Sequence, residues 1–194
     1  MARLYHTERS TALIAASIAF AVAGNLICSF LFPLTLHVPI FMDSVFTVAV
    51  TLFAGVGPGV VTGILYNAIW PLVTGEDARQ MFFALCSVAT ALITHGIMKN
   101  PRDSSKLIKL LPLSLSLCAA NCFIGGVIST FAFRGVDHFP SDYIMESLIM
   151  QDIPMAGAAI HARIPLNLID KALAAILGYG VFAFANAKFK RKEY

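Results

Sequence analysis

The chain has 194 residues, 58% of them hydrophobic and only 13% charged, whereas about a quarter of the residues in a soluble domain carry a charge. The apolar residues are bunched into runs of about 18 or more, the length a helix needs to cross roughly 30 Å of hydrocarbon, so a soluble globular domain is excluded. A nucleic-acid partner is excluded as well: the net charge of +3 comes from residues scattered between apolar runs, with no basic patch.

The ten-residue alternation of a membrane barrel is missing, and Ala, Leu, Ile and Gly dominate. An all-α membrane protein follows, with six transmembrane helices predicted over residues 11–32, 40–54, 57–73, 80–98, 106–133 and 163–188, and residues 1–194 forming one integral membrane domain. The first run follows Arg3 and Arg9 and contains Ala19-Phe20-Ala21, features of a secretory signal, but at about 22 residues it is read as a retained helix. Gly55-Val56-Gly57-Pro58-Gly59 makes a tight turn between the second and third spans. In the long segment 135–162, a short surface helix is predicted over 141–150: Ser141 can cap it, Asp142 sits in the first turn, and Ile144, Met145, Leu148 and Ile149 form an apolar stripe.

Cys28, Cys86, Cys118 and Cys122 all lie inside apolar runs, and Cys118 and Cys122 share a helix face, which does not suit a disulfide. They read as small packing residues, with no metal-type Cys/His spacing. Neither a metal nor a cofactor is expected. His95 reads as structural, while His37, His138 and His161 fall in loops where they could help hold a ligand or metal.

Six spans place both termini and the second and fourth loops on one side. That side carries Arg3, Arg9, Lys99, Arg102, Lys106, Lys109, Lys188, Lys190, Arg191 and Lys192, ten of the 14 basic residues, but only Glu8, Asp103 and Glu193 of the 11 acids. Because positive residues stay inside, the N- and C-termini are expected in the cytoplasm of a multi-pass cell-membrane protein.

Polar groups within a bilayer are costly unless paired or wetted, so their depth is informative. On this topology Asn25, Asp43, Asn67, Trp70, Asn167, Asp170 and Lys171 fall in the outer half. Arg163, Asn167, Asp170 and Lys171 share one helix face at i, i+4, i+7, i+8. Gly59, Gly63, Asn67 and Trp70 form a second stripe, Asp43, Thr47 and Thr51 a third, and Ser114, Cys118, Asn121 and Gly125 a weaker fourth. If these faces converge, they enclose a polar pocket open to the outside and closed below by apolar residues. Taken singly, each residue has a structural alternative. Asp170 can pair with Lys171 or Arg163, the asparagines can serve as interhelical glue, and Trp70 can anchor at the interface.

The first helix carries Ala12, Ala16, Ala19 and Ala23 at i, i+4, i+7, i+11, a seam where another helix can approach closely. Asn25 and Ser29 lie roughly opposite. Spacing alone leaves open whether this seam docks a partner or packs inside the bundle.

The alanine-rich first helix, Met42-Asp43-Ser44-Val45-Phe46-Thr47, the glycine turn leading into Gly63-Ile64-Leu65-Tyr66-Asn67, and Leu168-Ile169-Asp170-Lys171 together resemble the S components of energy-coupling factor (ECF) transporters. The resemblance extends in layout over nearly the whole chain. It implies a six-helix bundle that binds a vitamin or similar micronutrient from outside. It also implies docking, through the small-residue face of the first helix, onto a transmembrane coupling (T) subunit carried by two cytoplasmic ATPase subunits. The ligand would sit in the outer half under loops, notably residues 33–39. The N-terminal histidine sequence of the nickel and cobalt members is absent.

No enzyme activity is expected. The chain lacks a phosphate-binding Gly-Lys-Ser/Thr loop, a His-Glu-x-x-His pair and a Gly-x-Ser-x-Gly elbow. A membrane sensor subunit of a signalling system is the main alternative, and an intramembrane enzyme a weaker one.

Overall fold

Ser10 opens the first helix by accepting the Leu13 N–H on its Oγ at 3.3 Å, as short hydroxyl side chains do at helix starts. The helix α1 (Thr11–Ser29) does not stop where its α-helical bonding ends but continues through Phe30–Thr35 in wider turns. Pro33 has no N–H to give the Ser29 carbonyl, and its ring crowds that carbonyl, so the backbone bonds skip to i−5: Leu36 N–H reaches Leu31 O at 2.9 Å. The computed structural model describes residues 10–99, 106–135, 139 and 141–190.

The other helices are α2 (Val45–Ala54), α3 (Val56–Thr74), α4 (Ala84–Ile97), α5 (Lys106–Ala132), α6 (Ser141–Ile149), α7 (Met155–Ala162) and α8 (Ile164–Lys190), and the described residues contain no strand. A 3₁₀ turn, Ala78–Phe83, leads into α4. Asp77 accepts the Arg79 N–H at its start, and Arg79 reaches across to the Ala132 carbonyl at 2.7 Å. The Arg79 guanidinium also holds the exposed Asp77 carboxyl down to about 2. The turn between α2 and α3 reduces to Gly55, whose φ of 101° closes both helices. Pro58 is tolerated in the first turn of α3.

Burial is inverted relative to a soluble protein. Asn25, Thr47, Thr62, Thr90, Thr94 and Ser129 are completely buried, while Phe131 is 80%, Ile108 78% and Leu72 77% exposed. Large apolar side chains facing outward over every long helix mean that the surrounding medium is hydrocarbon. Five helical stretches have the length and apolarity to cross a bilayer: Thr11–Thr35, Val56–Thr74, Ala78–Ile97, Leu107–Ala132 and Met155–Lys188. The protein is an all-helical, multi-pass membrane protein.

Three elements differ from their sequence-based boundaries. The predicted second span, 40–54, is helical only from Val45, and its ten residues rise about 15 Å, half a bilayer. Residues 36–44 are irregular, with Met42 at φ 55°, because side chains from other helices take the N–H groups a longer helix would have used: Asp170 Oδ1 accepts from Met42 N–H at 2.7 Å and Asn25 Oδ1 from Phe46 N–H at 3.0 Å. The surface helix 141–150 ends at Ile149, and a further helix, α7, follows it. Its Ala158, Ala159 and Ala162 are wholly buried against α6 and α5, small side chains without a periodic contrast to reveal them. The loop expected at 33–39 begins only at Leu36.

The short α2 is the hub, packed against α1, α3, α4 and α8. Contact with α8 is close at Gly178, where an added Cβ would lie 2.7 Å from the Val45 carbonyl oxygen. Toward the end where α2 finishes, Val48, Met98, Leu110, Leu113, Leu117 and Ala175 form an apolar core. Toward the end where α2 begins, the interior turns polar.

Candidate functional site

Four of the polar side chains come from the start of α8 and the residue preceding it. Arg163 stands between α7 and α8, with Nη1 on the Ala159 carbonyl at 3.0 Å. Asn167 follows one turn later, then Asp170 and Lys171. The Lys171 ammonium has three N–H donors and uses all of them: Asp170 Oδ2 at 2.7 Å, Asp43 Oδ1 at 3.0 Å and Ser44 Oγ at 2.9 Å. Ser44 in turn donates to Asp43 Oδ1 at 2.8 Å. This cluster clips residues 42–44 onto α8. Charges this deep persist only because each is met by an opposite charge and further hydrogen bonds.

Beside the clip lies a cavity of about 110 Å³, partly open to its surroundings. Of the ten polar residues singled out from sequence, eight line it: Asp43 from the irregular segment, Asn67 and Trp70 from α3, Asn121 from α5, and Arg163, Asn167, Asp170 and Lys171. The remaining two face each other elsewhere. Asn25 donates through Nδ2 to Thr47 Oγ1 at 2.9 Å while its Oδ1 caps α2, so this pair builds the α1–α2 contact. Gly59 and Gly63 are likewise packing positions. A Cβ on Gly63 would come within 2.6 Å of Ser87 Cβ, so its absence lets α3 and α4 close on each other.

Asn67, Asn121 and Asn167 share one arrangement. Each donates its amide nitrogen to the carbonyl four residues back on its own helix, at 2.8, 2.9 and 3.1 Å to Gly63, Leu117 and Arg163. Trp70 gives its N–H to Glu76 at 3.0 Å and rests against Phe30 and Tyr66, so it is buried in the wall.

Part of the lining is aromatic. Phe41, Phe83 and Phe139 come from three separate segments, and their rings meet with centroids 4.9 Å apart for Phe41–Phe139 and 5.2 Å for Phe83–Phe139. These three, with Tyr66, Gln80, Cys86 and Ser141, line the cavity without having been singled out from sequence. A phenylalanine carries no contrast in a chain this apolar, and Cys86 looked like packing. Gln80, a lone amide at the head of a span, was the one available signal.

Among the described residues no three His, Cys, Asp or Glu side chains gather as a metal site. His37 and His161 are exposed, and His138 lies outside the described residues. Cys118 and Cys122 are free thiols with sulfurs 3.9 Å apart. On α1, Ala12, Ala16, Ala19 and Ala23 are all exposed, whereas Ala21, Val22, Gly24, Asn25 and Ser29 are buried, so the alanine seam faces away from the bundle. In comparisons with known protein families, curated proteins and solved structures, nothing matches this chain.

Proposed function

We propose that this chain is the substrate-binding subunit of an importer of the energy-coupling factor type. It would take a vitamin or similar micronutrient from the outer face of the cell membrane and pass it on by docking to a transmembrane coupling subunit driven by two ATPases. The observation that carries the reading is the cavity: a partly enclosed chamber where polar side chains of four segments meet aromatic ones, with the apolar core around Leu113 and Leu117 packed toward the other end of α2. A partly enclosed chamber backed by a packed core suits a receptor rather than a channel. The outward alanine seam of α1 supports the docking part.

The proposal includes six crossings, with residues 36–44 and α2 together making the second, and with both termini in the cytoplasm. Ten of the 14 basic residues then lie inside. In a variant lacking the native cysteines, cysteines placed at Lys192 and Asp103, both outside the described residues, should resist impermeant thiol reagents in intact cells, while one at Asp77 should react. Labelling at Lys192 from outside would overturn the topology and, with it, the outward-facing cavity.

Binding itself is tested by small-molecule mass spectrometry on the purified chain, followed by affinity measurements with the compound retained. Asn67→Leu and Asn167→Leu should each weaken that affinity by about 1–3 kcal/mol through loss of one buried hydrogen bond, with thermal stability nearly kept for Asn167→Leu and lowered for Asn67→Leu, which also loses the bond to Ser87 on α4. Affinities equal to wild type would assign both residues to packing alone.

A further inference from the structure

We infer that the cavity is built for a hydrogen-bond donor, a compact planar nitrogen heterocycle bearing amino groups. This rests on the ligand-binding reading proposed above and goes further by naming the chemistry of the ligand.

The argument begins with the three asparagines. A backbone carbonyl can only accept, so in each the nitrogen must face the carbonyl four residues back. Asn67 also meets the Ser87 hydroxyl at 2.8 Å, and the Asn121 orientation is fixed a second time. Asn121 also donates, at 3.3 Å, to Thr90 Oγ1, whose own hydrogen is given to the Cys86 carbonyl. The opposite oxygen of each amide makes no hydrogen bond within the chain. None of the three is among the sealed polar atoms of the described residues, so each is open to whatever fills the cavity they line. Asp43 adds a fourth acceptor. Its Oδ1 takes both Lys171 and Ser44, leaving Oδ2 without a hydrogen bond in a side chain that is 25% exposed.

The Lys171 and Trp70 donors on the wall are turned to the protein. Lys171 spends all three N–H groups on the protein, Trp70 spends its one on Glu76, and Arg163 directs Nη1 to the Ala159 carbonyl. The formal charges of Asp43, Asp170, Lys171 and Arg163 balance, so the wall calls for N–H groups without requiring a strong counter-ion. The rings of Phe41, Phe83 and Phe139 in the lining favour a flat π-system. A buried acceptor left unmatched costs a ligand more than a matched one gains, which makes such a wall selective.

The test is a calorimetric titration of the purified full chain with three probes of similar size. These are 2,4-diaminopyrimidine, 2,4-dimethoxypyrimidine, which keeps the ring but has no N–H, and benzoate, which offers a carboxylate to Arg163. The diamino compound should bind at least about tenfold more tightly than either other probe, and Asn67→Leu or Asn167→Leu should erase most of that preference. Equal or tighter binding of the dimethoxy compound or of benzoate would overturn the donor-ligand inference and leave the receptor reading standing. If none of the probes binds, the compound retained by the purified chain decides. A retained molecule rich in N–H groups supports the inference, and one without them overturns it. A chain that retains nothing and binds none of the probes removes the receptor reading itself.

Discussion

On the importer reading proposed above, Ala16→Trp is expected to cut uptake in cells sharply while leaving the isolated subunit able to hold its ligand. Ala16 is exposed midway along the outward face of α1, between Ala12 and Ala19, and the polar residues of the same helix, Asn25 and Ser29, are buried on the other side. An indole on a face where two helices must nearly touch has no rotamer that clears both backbones. Overpacking of this kind costs about 1–3 kcal/mol, a loss of roughly five- to 150-fold in association. Uptake and co-purification with a coupling subunit should both fall by that order, and Ala19→Trp should behave alike. Affinity of the purified subunit for its ligand should not change, because neither alanine lines the cavity. A variant that assembles and transports normally would remove the docking face. So would one that loses ligand and unfolds while its partner still binds.

Lys171→Met is expected to be the most destabilising single change near the cavity. It leaves Asp170, 7% exposed, and Asp43 without their shared cation, and breaking a buried ion cluster from one side costs about 3–5 kcal/mol. The clip on residues 42–44 is lost with it, so the entrance to α2 should loosen and ligand binding should fall as a consequence of unfolding. Adding Asp170→Asn to Lys171→Met should restore part of the stability. The amide oxygen can still accept the Met42 N–H, and the stranded charge is gone. Thermal unfolding in detergent compares wild type, single and double variants. A single variant as stable as wild type, or a double variant less stable than the single, would show that the cluster does not hold this segment.

Much of this architecture was legible in the residues, and the reasons are physical. In hydrocarbon a polar side chain must be inward or paired, so Arg163, Asn167, Asp170 and Lys171 announced a shared inward face by spacing alone. The same logic brought Asn25 and Thr47 forward, and there it could not separate two uses of a buried amide. Asn25 meets a backbone N–H at the start of α2, whereas Asn167 keeps its oxygen for the cavity. Only the position of the neighbouring chain distinguishes them. The aromatic part of the lining was hidden for the opposite reason, since Phe41, Phe83 and Phe139 resemble the many phenylalanines that face lipid. The division of residues 40–54 into an irregular start and a helical remainder depends on Asp170, more than a hundred residues away, capturing the Met42 N–H. No local propensity encodes that choice.

The half-length of α2 bears on which residues around the cavity are free to vary. A helix that starts inside an apolar bundle leaves backbone donors that need partners, and here Asn25 and Asp170 meet two of them while Lys171 balances the charge this requires. Those three are therefore committed to the scaffold before any ligand is considered, and specificity cannot easily drift through them. Asn121, Asn167, Phe83 and Phe139 carry no such duty toward another segment's backbone. Variation in the cavity lining has room at these four positions, on a floor that must stay as it is.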